Sequence, residues 1–194
     1  AEREGWSSVF HLALPDPQLY PRFPPGLPWW RRVEGAFWAA PEGPGSDLAG
    51  RMDHPAVHIA WFDALAYCTW AGLSLPTEAQ WEYAARGNTT SSYWWGNNKD
   101  DAQERANCRY GCKSLWASFF NNKTQPVGSF PPNDFGIHDT AGNAAEWVND
   151  CADKTPAQAC LNRAVRGGSF VSKVESITAS SQVAITASKS RKSI

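Results

Sequence analysis

No apolar stretch among the 194 residues approaches the roughly 18 needed to cross a bilayer, so a membrane span is not expected. The first twenty residues also lack a charged start, an apolar middle and a small-residue cleavage site. A signal peptide is therefore either absent or already removed; surface display or secretion stays compatible, and no compartment is assigned. Charge of one sign is missing too: Lys plus Arg is 18 against 19 for Asp plus Glu, a formal charge of -1. Without a basic run there is no footprint for nucleic-acid phosphates or anionic lipid, and neither is an expected partner. Histidine is sparse, and His11, His54, His58 and His138 form no H-x3-H or H-E-x-x-H pair, which argues against a catalytic metal on histidines. Gly-rich phosphate loops are absent, and Gly167-Gly168-Ser169 lacks the glycine that would follow in a serine-hydrolase elbow.

Cysteine is scarce for a disulfide-built scaffold, and five is an odd number. Cys68 lies in the apolar run around Tyr67 and Trp70, whereas Cys108 with Cys112 and Cys151 with Cys160 lie in polar loop sequence at short separations. Two local disulfides, reduced thiols and a metal site all stay open, although C-x3-C and C-x8-C fit zinc spacing poorly.

Proline is abundant in one place. Nine of the fourteen prolines lie between Pro15 and Pro55, which excludes helix and central strand over residues 15–46. Tyr20, Phe23, Trp29, Trp30, Phe37 and Trp38 in that stretch point to an ordered meander pinned to a core. Farther on, Phe62, Leu65, Ala66 and Thr69 recur at helical spacing before Gly72, which predicts a short helix over 62–71. Thr77 and Gln80 form a T-x-x-Q capping box and Gly87 is a stop, so 78–86 is expected to be helical. Residues 88–162 read as loops with brief strands. The tail, 171–194, holds seven serines and three lysines but no aromatic, Gly or Pro; Val171, Val183 and Ile185 suit strands of uncertain register, and the plainest arrangement is a surface hairpin.

One segment carries a chemical argument from spacing. Asp139 and Glu146 place two carboxylates around the Gly142-Asn143 turn, with the Ala144 carbonyl between them. Hard cations take oxygen ligands of this kind, so the segment reads either as a calcium loop or as a plain turn with a surface Glu.

The string PWWRRVEGAFWAAPEGPGSDLAGRMDHPAVHIAWFDALAYCTWAGLSLPTEAQWEYAARG, residues 28–87, resembles the formylglycine-generating enzyme (sulfatase-modifying factor) family. The resemblance resumes at WWGN (94–97), PVGSFPPNDFGIHDTAGNAAEW (126–147) and RAVRGGSF (163–170). It implies an α+β, C-type-lectin-like fold: two short helices, a small twisted antiparallel sheet and much irregular structure. It further implies a single domain over 1–194, lacking the family's amino-terminal segment and closing strand. The family's calcium ligands fall on Asp139, Gly142, Ala144 and Glu146. A second family calcium site begins at Asn107 and Cys108, but its later acidic loop has no match in 109–125. Catalysis in the family rests on two cysteines that bind copper(I) and use oxygen to convert a sulfatase cysteine to formylglycine. Those positions are Ser172 and Ile177 here, and neither side chain replaces a soft thiolate, so copper is not expected and the activity should be lost. Cys68 matches one half of a family disulfide whose partner position is Gln182. Ala145 stands at the family's substrate-side tryptophan, and Ser169 survives.

An intact frame with a scrambled tail is similar to the variable proteins of diversity-generating retroelements. That resemblance implies a display protein whose residues 171–194 meet an unknown protein or surface ligand. The contacting set would be Ser172, Lys173, Val174, Glu175, Ser176, Thr178, Ser180, Ser181, Val183, Ile185, Lys189 and Lys192. The alternatives are drift in a redundant copy, a formylglycine-generating oxidase, and a non-catalytic sulfatase-binding paralogue.

Overall fold

The computed structural model describes residues 4–24, 28–112, 123–152 and 160–186. Strand β1 (Trp6–Phe10) pairs antiparallel with β2 (Trp30–Glu34), Trp6 opposite Glu34 and Phe10 opposite Trp30. β2 forms inside the proline-rich meander because residues 29–40 are free of proline and the two-stranded ribbon asks for no central strand. The remainder of the meander is irregular and pinned, with Phe23 edge-on to Trp6 at 4.7 Å and Arg31 donating to the carbonyls of Pro17 and Pro28.

Helix α1 (Trp61–Trp70) opens one residue earlier than expected, because the Asp63 carboxylate accepts the Ala60 N–H at 2.8 Å. Helix α2 (Glu78–Arg86) matches its sequence signal. Thr77 Oγ1 accepts the Gln80 N–H, Gln80 Oε1 accepts the Thr77 N–H, and Gly87 closes the helix at φ 54°. Along α1, Phe62, Ala66 and Thr69 are exposed, and only Trp61 is fully buried, with Ala64, Leu65 and Cys68 half-buried. Two apolar stripes offset around the helix both have helical spacing, and the fold uses the one headed by Trp61.

The second sheet runs β3 (Glu146–Cys151), β4 (Asn162–Arg166), β5 (Gln182–Thr186), all antiparallel. A strand forms around Val183 and Ile185, as those residues suit. The tail is no free-standing hairpin, since β5 takes β4 as its partner and a short 3-10 turn at Val174–Ser176 precedes it. Val174, Ile177, Ala179 and Ile185 are buried, so apolar tail residues are drawn inside while the hydroxyl residues between them stay out. α2 packs on this sheet through Trp81 and Ala85, which meet Val148 and Ala164. Disulfides join Cys108 to Cys112 and Cys151 to Cys160, at Cα separations of 5.1 and 5.6 Å, and Cys68 is the free thiol among the described residues.

Candidate functional site

The site grows out of the R-G-G-S turn at the end of β4. Gly167 (φ 81°) and Gly168 (φ 69°) are both left-handed, and a Cβ on Gly168 would stand 2.7 Å from Ile177 Cγ2. The turn then closes on itself: Ser169 N–H donates to Ser172 Oγ at 2.9 Å and Ser172 N–H donates to the Ser169 carbonyl at 2.8 Å. The Ser172 carbonyl accepts the Arg109 N–H at 2.9 Å, and Val174 N–H donates to the Tyr110 carbonyl at 2.8 Å. These bonds knit the tail to the loop closed by the Cys108–Cys112 disulfide.

At the two positions that the resemblance assigns to cysteines, Ser172 spends its hydroxyl on the backbone, and Ile177 is 1% exposed among Tyr93, Ala106, Cys108, Ala141 and Val174. The remaining free thiol, Cys68, lies on α1. A pair of soft ligands is thus absent among the described residues.

Of the expected ligand-contacting set, Lys173, Glu175, Ser176, Ser180 and Val183 are exposed, and Ser172, Thr178 and Ser181 are half-buried. Val174 and Ile185 are corrections, since their side chains are buried and serve packing. Lys189 and Lys192 lie outside the described residues. Arg166, 2% exposed, steadies the outer turn: its guanidinium donates to the carbonyls of Ala179 (3.1 Å) and Ser180 (3.0 Å) and pairs with Glu82.

Sequence reasoning missed the aromatic neighbours of this face. Tyr110 forms a parallel bridge with Lys173, and the Arg109 guanidinium lies 5.0 Å from the Tyr110 ring centroid and 5.6 Å from that of Trp29. No spacing signal could have found them, because they come from a different chain segment brought alongside by the backbone bonds just described. A cavity of about 680 Å³ lies beside the turn, with Phe10, Leu12, Trp38, Met52, His54 and Phe170 in its wall.

The expected cation loop docks against the same turn. Gly142 N–H donates to the Gly167 carbonyl at 2.8 Å, and Gly142 sits so close to the Asn107 carbonyl that no Cβ would fit. Asn143, buried at φ 60°, accepts the Gln125 N–H at 2.8 Å and the Asn107 amide at 3.1 Å. Asp139 Oδ2 accepts the Gly128 N–H at 2.7 Å and Glu146 Oε2 accepts the Trp81 indole N–H at 2.9 Å, so each carboxylate makes one hydrogen bond and has a second oxygen to offer. Protein mass around the Glu146 carboxyl pushes its pKa up, the Trp81 bond opposes this, and the Asp139 charge adds to it; the residue keeps a solvent-exposed side, which tempers the shift. The two carboxylates sit near enough across the Gly142-Asn143 turn for the Asp139 charge to act on Glu146, and oxygen donors of this kind are the type a hard cation takes.

Comparison with known proteins agrees with this frame. The formylglycine-generating enzyme of Thermomonospora curvata is 41% identical over 196 residues, covering 88% of this chain and 63% of that protein. The mouse inactive C-alpha-formylglycine-generating enzyme 2 is 38% identical over 183 residues, covering 88% of this chain and 56% of that protein. The chain thus spans a little over half the length of these relatives. Among solved structures, Treponema denticola variable protein 1 superposes with a TM-score of 0.57 at 24% identity, covering 70% of this chain and 66% of that one, which shows the shared fold. The sulfatase-modifying factor enzyme 1-like domain matches residues 2–194, and the chain belongs to that family.

Proposed function

We propose that this chain is a non-catalytic, ligand-binding member of its family, presenting the outward residues between Ser172 and Val183 to a macromolecular ligand. The observation that carries the proposal is the pair of substitutions at the copper positions: a serine whose hydroxyl is bonded to the backbone, and an isoleucine inside an apolar cluster. Thiolates select copper(I), and neither replacement offers one. The exposed hydroxyl residues supply adaptable hydrogen bonds, and Trp29, Arg109 and Tyr110 supply the aromatic and guanidinium anchors that the tail itself lacks. A calcium ion held by Asp139, Glu146 and the carbonyls of Gly142 and Ala144 would brace the loop that supports this turn; its role is structural.

Sequencing sibling copies from the same source population tests the face. Variation concentrated at the outward positions after Ser169 supports display, and variation spread evenly along the chain contradicts it. The second reading, a non-catalytic sulfatase-binding paralogue, draws support from the inactive mouse relative. It predicts co-purification with a sulfatase whatever the residues at 172–183.

A further inference from the structure

Helix α1 is apolar on nearly every side, a composition that belongs to a helix covered all round. Its inner side is anchored at one end, where the Trp61 indole donates to the Val148 carbonyl at 3.0 Å and Arg163 stacks 3.8 Å from the ring centroid. Among the described residues its outer side is open: Phe62 is 58% exposed, Tyr67 62%, Trp70 81% and Leu73, just past the helix, 66%. Aromatic side chains carry about 150–250 Å² each, so this patch amounts to on the order of 500 Å² of uncovered apolar surface, the size at which a monomer's largest patch is usually functional.

We propose that this face pairs with the same face of a second copy of the chain, through an antiparallel two-fold contact centred on Ala66. The sequence is self-complementary about that residue. Phe62 and Trp70 lie one turn to either side of it, so an antiparallel pair sets Phe62 of each copy against Trp70 of the other. The small Ala66 side chains meet at the axis, where they allow the helices to approach closely. Asp63, the charged residue of α1, falls opposite Thr69 and not opposite another carboxylate. Two such patches, fully covered, together remove about 1,000 Å² from water, which is the area at which a biological interface begins and suits a weak, concentration-dependent dimer. An isologous contact also closes on itself, so the exposed apolar stripe ends in a dimer and not in a growing chain.

Sedimentation equilibrium of the chain over a micromolar concentration series tests this. A monomer–dimer equilibrium is expected, with Trp70→Glu raising the dissociation constant at least a hundredfold while the circular dichroism spectrum stays unchanged. In a Cys68→Ser background, Ala66→Cys is expected to cross-link the dimer under mild oxidation. A protein that stays monomeric at 100 µM, a dimer indifferent to Trp70→Glu, or open-ended oligomers would each overturn the pairing. A dimer that Ala66→Cys fails to cross-link overturns the two-fold centre.

Discussion

His58 is buried with both ring nitrogens engaged: the Pro41 carbonyl can only accept, so Nε2 donates to it at 2.9 Å, and Nδ1 accepts the Ser7 hydroxyl at 2.7 Å. Burial lowers its pKa from 6.5 to about 4, outweighing the Pro41 bond. The unfolded chain therefore binds a proton between these values that the folded chain refuses. Stability conferred by the neutral ring is complete above pH 6.5 and drains away as the pH falls toward about 4. The loss approaches about 3 kcal/mol at most, and urea unfolding across that window should show a slope near one proton that His58→Gln flattens. Glu146 gives a second prediction at this scale. Calcium at a hundredfold excess over its Kd should add about 2.7 kcal/mol, so chelation should lower the melting temperature. Glu146→Gln keeps the side-chain volume but removes a charged ligand, and it should bring the calcium-loaded protein to the chelated value while leaving the chelated protein little changed. If neither chelator nor variant moves the melting curve, hydrogen bonds alone hold the loop.

Between elements, Arg166 is the tie that joins α2, β4 and the turn before β5. It is almost fully buried, and it spends its donors on Glu82 and on the Ala179 and Ser180 carbonyls. Arg166→Met should cost about 1–3 kcal/mol, because the Ala179 and Ser180 carbonyls lose their donor while Glu82 stays partly exposed and paired with Arg86, and amide exchange at Ala179 and Ser181 should quicken. α2 was legible in the sequence because its signals are local: a T-x-x-Q box at one end and a glycine at the other. The face of α1 was not, since Trp61, Ala64, Leu65 and Cys68 keep helical spacing as well as Phe62, Ala66, Thr69 and Leu73 do. Periodicity cannot choose between two apolar stripes; the indole bond to Val148 does. A strand at Val183 and Ile185 was legible and its partner was not, since alternation there is imperfect and the register comes from β4, sixteen residues upstream of Gln182.

Across the whole molecule, the candidate face is assembled from segments far apart in the chain. Residues 107–112, the 139–146 loop and the R-G-G-S turn meet through backbone bonds, among them Gly142 to Gly167, Asn143 to Asn107 and Arg109 to Ser172. The motif strings made the family frame and the replaced cysteines visible in the sequence. Trp29, Arg109 and Tyr110 stayed hidden, because their place beside Lys173 depends on tertiary pairing alone. On the proposed reading, the face keeps the family's frame, and Ser172 and Ile177 stand where the resemblance places its two metal-binding cysteines. Incubating the purified chain with copper(I), oxygen and a cysteine-containing sulfatase-motif peptide, then weighing the peptide for aldehyde, tests this most directly. The account predicts unmodified peptide at every protein concentration; aldehyde formed in at least stoichiometric amount would contradict it.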